Sequence, residues 1–150
     1  MTVALDTNIL AYAEGVDGPA EQDLAIRMID RLPRSAVVLP IQVLGELFNV
    51  LVRKARRPAS EARTAVMGWR DIYMVAPTTE AALASAVDLA ADHRFGMWDA
   101  IILSVAAEAG CRFLLSQDLQ AGFRWRGVTV ADPLAQVLDP ALSLYIGADP

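Results

Sequence analysis

Five short, mostly apolar runs alternate with stretches of helical periodicity, and this alternation most narrowly constrains what the chain can become. Thr2–Leu5, Ser35–Leu39, Ile72–Ala76, Arg112–Leu115 and Val128–Val130 read as strands, and turn formers or capping residues bound most of them. Helices are expected from the Asp6-Thr7-Asn8 caps onward, from Pro19 to about Leu32, from Ile41 to about Ala55, and from Pro58 towards Trp69. Two more are expected, from Thr78 or Thr79 to His93 and from Trp98 to Ala109, the latter closed by Gly110. Strands alternating with helices of this length imply one α/β domain around a mainly parallel sheet. Ser116–Gly127 reads as an irregular loop, and the stretch from Asp139 onward shows no firm pattern. In that stretch Leu142, Leu144 and Ile146 alternate as an edge strand or a partner contact would.

The apolar fraction, 55% of 150 residues, is that of a chain able to bury a core. No apolar stretch approaches the length of about 20 residues that spans a bilayer, and the N-terminus lacks the basic start and apolar run of a secretory signal. A cytoplasmic, non-membrane protein is expected. One cysteine, Cys111, cannot form an internal disulfide and reads as a core residue. The net charge of −5 does not announce a nucleic-acid binder, although net charge says nothing of local distribution.

In a parallel sheet, ligand sites lie beyond the carboxyl ends of the strands. Asp6 closes the first run, and Asp118 follows the Arg112–Leu115 run by three residues. Asp99 falls in the first turn of a helix, while Glu46 lies on a polar helix face with Gln42, Asn49 and Arg53. Each acid also has a purely structural explanation: a cap for Asp6 and Asp99, a solvated face for Glu46, a turn for Asp118. What would join them is chemistry, because Mg²⁺ and Mn²⁺ favour hard oxygen donors and can assist phosphodiester hydrolysis. Spacing alone does not show that the four converge.

The motifs are more specific. Val3-Ala4-Leu5-Asp6-Thr7-Asn8-Ile9-Leu10 resembles the opening of PIN-domain nucleases, and Pro40–Leu51 resembles their segment around the second acid. Trp98-Asp99-Ala100-Ile101-Ile102-Leu103 is similar to the third motif, and Leu114-Leu115-Ser116-Gln117-Asp118-Leu119 to the fourth. Order and spacing also resemble the family, with 40 residues from Asp6 to Glu46, 53 to Asp99 and 19 to Asp118. The resemblance covers about Thr2 to Pro133. It implies a Rossmann-like three-layer sandwich, a PIN-type domain over 1–139 and a C-terminal extension over 140–150. It further implies that Asp6, Asp99, Asp118 and Glu46 gather Mg²⁺ or Mn²⁺ for endonucleolytic RNA cleavage, with Thr7, Asn8 and Ser116 supporting them. Single-domain members of this size resemble VapC-type toxins of toxin–antitoxin pairs, which implies a small DNA-binding antitoxin and a homodimer. Gln117 is neutral where many members carry another acid, which bears on a second metal.

Rival readings are a solitary RNA-processing nuclease or a non-catalytic PIN-like binding module. An aspartyl-nucleophile phosphotransferase would want a carboxylate at position 8, which is Asn, and no glycine-rich phosphate loop is present. With His93 the single histidine, cleavage by an imidazole pair is excluded. Trp98, beside Asp99, is expected to pack and fix its helix start. Arg53, Lys54, Arg56 and Arg57 form the densest basic run and offer either RNA-phosphate contacts or solvated cations at a helix C-terminus. Arg124 and Arg126 flank Trp125, which reads as a turn anchored by a half-buried ring or as a contact for unpaired bases.

Overall fold

The computed structural model describes residues 1–147. In chain order its elements are β1 (Val3–Leu5), α1 (Thr7–Ala13), α2 (Pro19–Asp30), β2 (Val37–Pro40), α3 (Ile41–Arg53), α4 (Ala59–Ile72), β3 (Met74–Ala76) and α5 (Glu80–His93). After these come α6 (Met97–Glu108), β4 (Phe113–Leu115), β5 (Arg124–Trp125), β6 (Val128–Ala131) and α7 (Pro140–Ile146). The six strands form one sheet in the order β3-β2-β1-β4-β6-β5. Every pairing is parallel except that of β5 with β6.

The central strands β1, β2 and β4 are buried at every residue, as expected of parallel strands covered by helices. That explains their continuous apolar runs in place of alternation. Leu5, Leu39, Leu114 and Leu115 from the sheet meet Ile9, Leu47, Leu51, Ile102 and Leu103 from the helices in one core. Cys111 is buried there as expected. Helix α5 packs on α6, α1 on α2 and α3, and α3 on α4. Glu14 locks the last three together. Its carboxylate accepts from Arg57 Nη1 at 2.9 Å and from Trp69 Nε1 at 2.8 Å, and Arg57 Nη2 also donates to the Glu14 carbonyl.

Three local expectations change. The loop expected over Ser116–Gly127 contains β5, a two-residue edge strand joined to β6 by a hairpin turn at Arg126-Gly127. Both turn residues have positive φ, 47° and 85°. Such a turn favours Asn or Gly at its first position, and the arginine there concealed it. The C-terminal stretch folds as α7, neither strand nor loop. Its proline and glycine mark the two ends of the helix. Pro140 occupies the first turn behind Asp139, whose carboxylate accepts from the amides of Ala141 and Leu142, and Gly147 ends the helix at φ 64°. Leu142 and Ile146 enter the core, whereas Leu144 is exposed. Residues 148–150 of the expected extension lie outside the described residues. Finally, Ile72, expected to open a strand, ends α4. Among the described residues no helix is long and apolar enough to cross a membrane.

Because Leu142 is fully buried, Leu142→Ala should lower stability by about 2–5 kcal/mol in urea unfolding. A loss below about 0.5 kcal/mol, the range of surface substitutions, would show that α7 is only loosely attached.

Candidate active site

Strands β1 and β4 run side by side, and the chain leaves both at the same edge of the sheet. The amide of Asp6 donates to the Leu115 carbonyl at 3.0 Å, so Asp6 and Ser116 emerge next to each other. Asp6 caps α1, accepting from the Thr7 amide at 2.7 Å on Oδ1. Its Oδ2 accepts from the Ser116 hydroxyl at 2.7 Å and from Asn8 Nδ2 at 3.2 Å. Ser116, fully buried, also accepts from Asn8 Nδ2 and from the amides of Asp118 and Leu119 at 3.1–3.3 Å. Asn8 closes the ring by accepting from the Gln117 amide at 3.2 Å, a pattern that fixes which end of its amide is oxygen. Thus Thr7, Asn8 and Ser116 all bear on Asp6 or its neighbours. The side chain of Gln117 turns away and donates to Asp132 at 3.2 Å.

Glu46 turns out to point into the site and not simply into water. Thr7 Oγ1 donates to its Oε2 at 2.6 Å and Gln42 Nε2 to its Oε1 at 3.2 Å. Gln42 also donates to the Trp98 carbonyl at 3.0 Å, tying α3 to the start of α6, where Asp99 lies. Trp98 itself is 65% exposed, so the expected packing role falls to Gln42 and the backbone. Asp118 is exposed at the rim.

Electrostatics show that the acids share one region. Burial pushes the Asp6 carboxyl up to about 6 against the pull of its hydrogen bonds from Ser116 and Thr7, and the charges of Asp99 and Glu46 add to the rise. Half-buried Asp99 is raised first by burial, then by Glu46 and Asp118. Asp99 thus feels Glu46 and Asp118, and Asp6 feels Asp99 and Glu46. Among the described residues no three potential ligands stand close enough to form a finished metal shell. The donor chemistry nevertheless fits a hard divalent ion. The set is all carboxylate, and Mg²⁺ is held by one or two carboxylates while keeping several waters.

A sequence profile of the PIN domain matches residues 3–124. The chain belongs to the PIN-domain family. A comparison with curated protein sequences finds no match. Among solved structures this PIN domain is similar to Mycobacterium tuberculosis VapC20, described as a sarcin–ricin-loop-cleaving toxin. The TM-score is 0.63 at 23% identity, over 75% of this chain and 87% of that one. It is also similar to a chain of a Klebsiella pneumoniae toxin–antitoxin complex, with TM-score 0.66 and 19% identity over 88% and 98% of the two chains. A chain of Rickettsia felis VapBC2 bound to a promoter DNA fragment gives 0.64 and 14% over 87% and 97%.

The basic run at the end of α3 divides in the fold. Lys54 pairs with Asp17 at 2.9 Å and Arg57 with Glu14, while Arg53 and Arg56 are exposed and without an ion pair among the described residues. Lys54 lines a cleft of about 440 Å³ together with Tyr12, Asn49, Glu46 and Asp118. Tyr12 escaped the sequence reading, which places Asn49 on the polar face of Glu46 without a role in the site. Their signal was helical spacing, Tyr12 four residues after Asn8 and Asn49 three after Glu46.

A raised carboxyl pKa fixes the sign of a pH effect. With a folded pKa of about 6 against 3.8 unfolded, the folded state holds more protons between those values, so Asp6 costs stability as pH rises through that window. In EDTA, Asp6→Asn should gain on the wild type by about 2 kcal/mol between pH 4 and pH 7 and stay level above it. Urea unfolding at both pH values checks this, and a difference that does not vary with pH would contradict the buried, metal-free carboxyl.

Proposed function

We propose that the protein is a Mg²⁺- or Mn²⁺-dependent endoribonuclease, the toxin of a type II toxin–antitoxin pair acting in the cytoplasm. The observation that carries this reading is the coupling of Asp6, Glu46, Asp99 and Asp118 at the carboxyl edge of a PIN-domain sheet. Similarity over three quarters or more of the chain to VapC20 and to chains of toxin–antitoxin complexes supports the toxin assignment. Exposed Trp98 and Ile41 at the adjoining starts of α6 and α3, with Met74 on edge strand β3, support a homodimer contact. Exposed Ile26 and Ile72, beside a cleft between α2 and α4, support an apolar contact with the small DNA-binding antitoxin.

In this reading Asp6 and Asp99 hold the ion, with Asp118 contributing directly or through water. When bound, the ion offsets the crowded negative charge and stabilises the phosphodiester transition state. Glu46 orients the attacking water and takes its proton. Thr7 and Gln42 each donate to one of its oxygens, which fixes the carboxylate while leaving lone pairs for that water. The water oxygen bonds to phosphorus and the bond to O3′ breaks, giving 5′-phosphate and 3′-hydroxyl ends. Thr7 is a positioning residue that acts through Glu46, and Ser116 one that acts through Asp6.

Purified protein should cleave RNA with Mg²⁺ or Mn²⁺ and lose that activity in EDTA and in Asp6→Asn. Cleavage at full rate in either case would overturn the mechanism, whereas metal binding without any cleavage would favour a binding module. Thr7→Val should lower kcat about 10- to 100-fold, the usual cost of losing a supporting hydrogen bond, with the melting temperature little changed.

A further inference from the structure

The edge of the sheet opposite the acids carries a feature that the proposed reaction does not use. Arg112 enters β4 from that side, its backbone tied to Thr2 and Thr129. Arg124 and Arg126 flank Trp125 on the β5–β6 hairpin, and all three arginines border one cleft of about 370 Å³. None has an ion pair among the described residues, in a chain of net charge −5. The acid in this cleft, Asp139, is committed to the amides that open α7.

Arg126 stands in a backbone region that a side chain of its kind disfavours, at φ 47°. It is held there with its guanidinium 4.6 Å from the Trp125 ring centre and Nη1 donating to Ser85 Oγ at 2.7 Å. On the far side of the Trp125–Arg126 wall lies a second cleft, of about 330 Å³, bordered by Ser85, Ser104 and Glu108. Ser104 is 3% exposed and its hydroxyl has no hydrogen-bond partner among the described residues. Ser104 and Arg126 border the same cleft, so a phosphate oxygen entering it meets both a hydroxyl and a guanidinium. Glu108, which is engaged by Thr79 at 2.5 Å, bounds that cleft on the α6 side.

We infer that these two clefts form a phosphate-binding track for a single RNA strand, a second contact site remote from the carboxylates. The inference rests on RNA being the substrate. Strand β5 is an edge strand of the sheet, so an RNA strand bound at the hairpin can follow that edge towards the end where the acids lie. The ring of Trp125 is covered by Arg126, which favours backbone phosphates over a stacked base as the ligand. Nucleotides flanking the scissile bond would then add affinity without touching the reacting atoms.

The test is anisotropy of a labelled single-stranded RNA in EDTA, over a salt series, with wild type, Arg112→Ala/Arg124→Ala and the equally charge-depleted control Arg31→Ala/Arg63→Ala. All four positions are exposed, and melting temperatures check the folds. The expected result is affinity about tenfold weaker for the first variant and a slope of log K against log salt flatter by about 1.4, with the control within about twofold of wild type. Equal losses in both variants, or none in the first, would overturn the track. With Mg²⁺ or Mn²⁺ present, the first variant should show a raised KM and unchanged kcat. If wild type binds through Arg112 and Arg124 yet cleaves no RNA, the nuclease reading falls and the track stands. If wild type cleaves and the variant binds as wild type does, only the track falls.

Discussion

The hydrogen bond from Ser116 Oγ to Asp6 Oδ2, 2.7 Å long and closed off from water, is the contact on which the arrangement of the site depends. It exists because two buried parallel strands end level with each other, so that the residue after each is forced into the same small space. A carboxylate placed there loses its hydration, and nothing cationic among the described residues replaces it. What it receives is three neutral donors, the Thr7 amide, the Ser116 hydroxyl and Asn8 Nδ2. These lower the cost of burying the charge without removing it, and Asp6 still ends up with a pKa near 6. The fold therefore maintains a carboxylate that is underpaid electrostatically until a cation arrives.

The other acids are delivered by longer-range packing. Glu46 reaches the site because the face of α3 bearing Val43, Leu47 and Leu51 is buried, which turns the opposite edge of the helix towards Thr7. Asp99 reaches it because α6 starts beside α3, a meeting that the Gln42 side chain fixes through the Trp98 carbonyl. One hydroxyl and one amide thus couple three helices to the end of β1. A loss at Thr7 or Gln42 would let Glu46 swing on a long side chain while the core stayed intact, which separates positioning from stability at these residues.

Much of this was readable in advance, and the reasons are physical. Buried parallel strands must be apolar throughout, so β1, β2 and β4 declared themselves, and Asp6 and Asp118 could be placed at their carboxyl ends from sequence alone. Glu46 was ambiguous because a polar helix face looks the same whether it meets water or a cleft. Only the partner across the gap decides, and Thr7 lies 39 residues away. The hairpin at Arg126-Gly127 was hidden because its first residue breaks the preference of its own turn type. Helix α7 was hidden because the proline and glycine that cap it look, in a linear reading, like breakers. The pairing of Lys54 with Asp17 and of Arg57 with Glu14 was equally invisible, and it halves the basic run that sequence offered to RNA.

That halving bears on how an acidic protein can hold a polyanion. Half of the basic run near the carboxylates is spent within the fold: Arg57 braces α1 against α3 and α4, and Lys54 is tethered at the mouth of the cleft. Cations close to a carboxylate site would in any case compete with the divalent ion it is built to attract. Distance resolves the conflict. Arginines placed at the opposite edge of the sheet can attract phosphate without neutralising the acids, because exposed charges more than about 10 Å apart are largely screened from each other at ordinary ionic strength. The same sheet that crowds negative charge at the carboxyl ends of its strands therefore also carries unpaired arginines at the other end, Arg112, Arg124 and Arg126, where a strand of RNA crossing its edge would meet them.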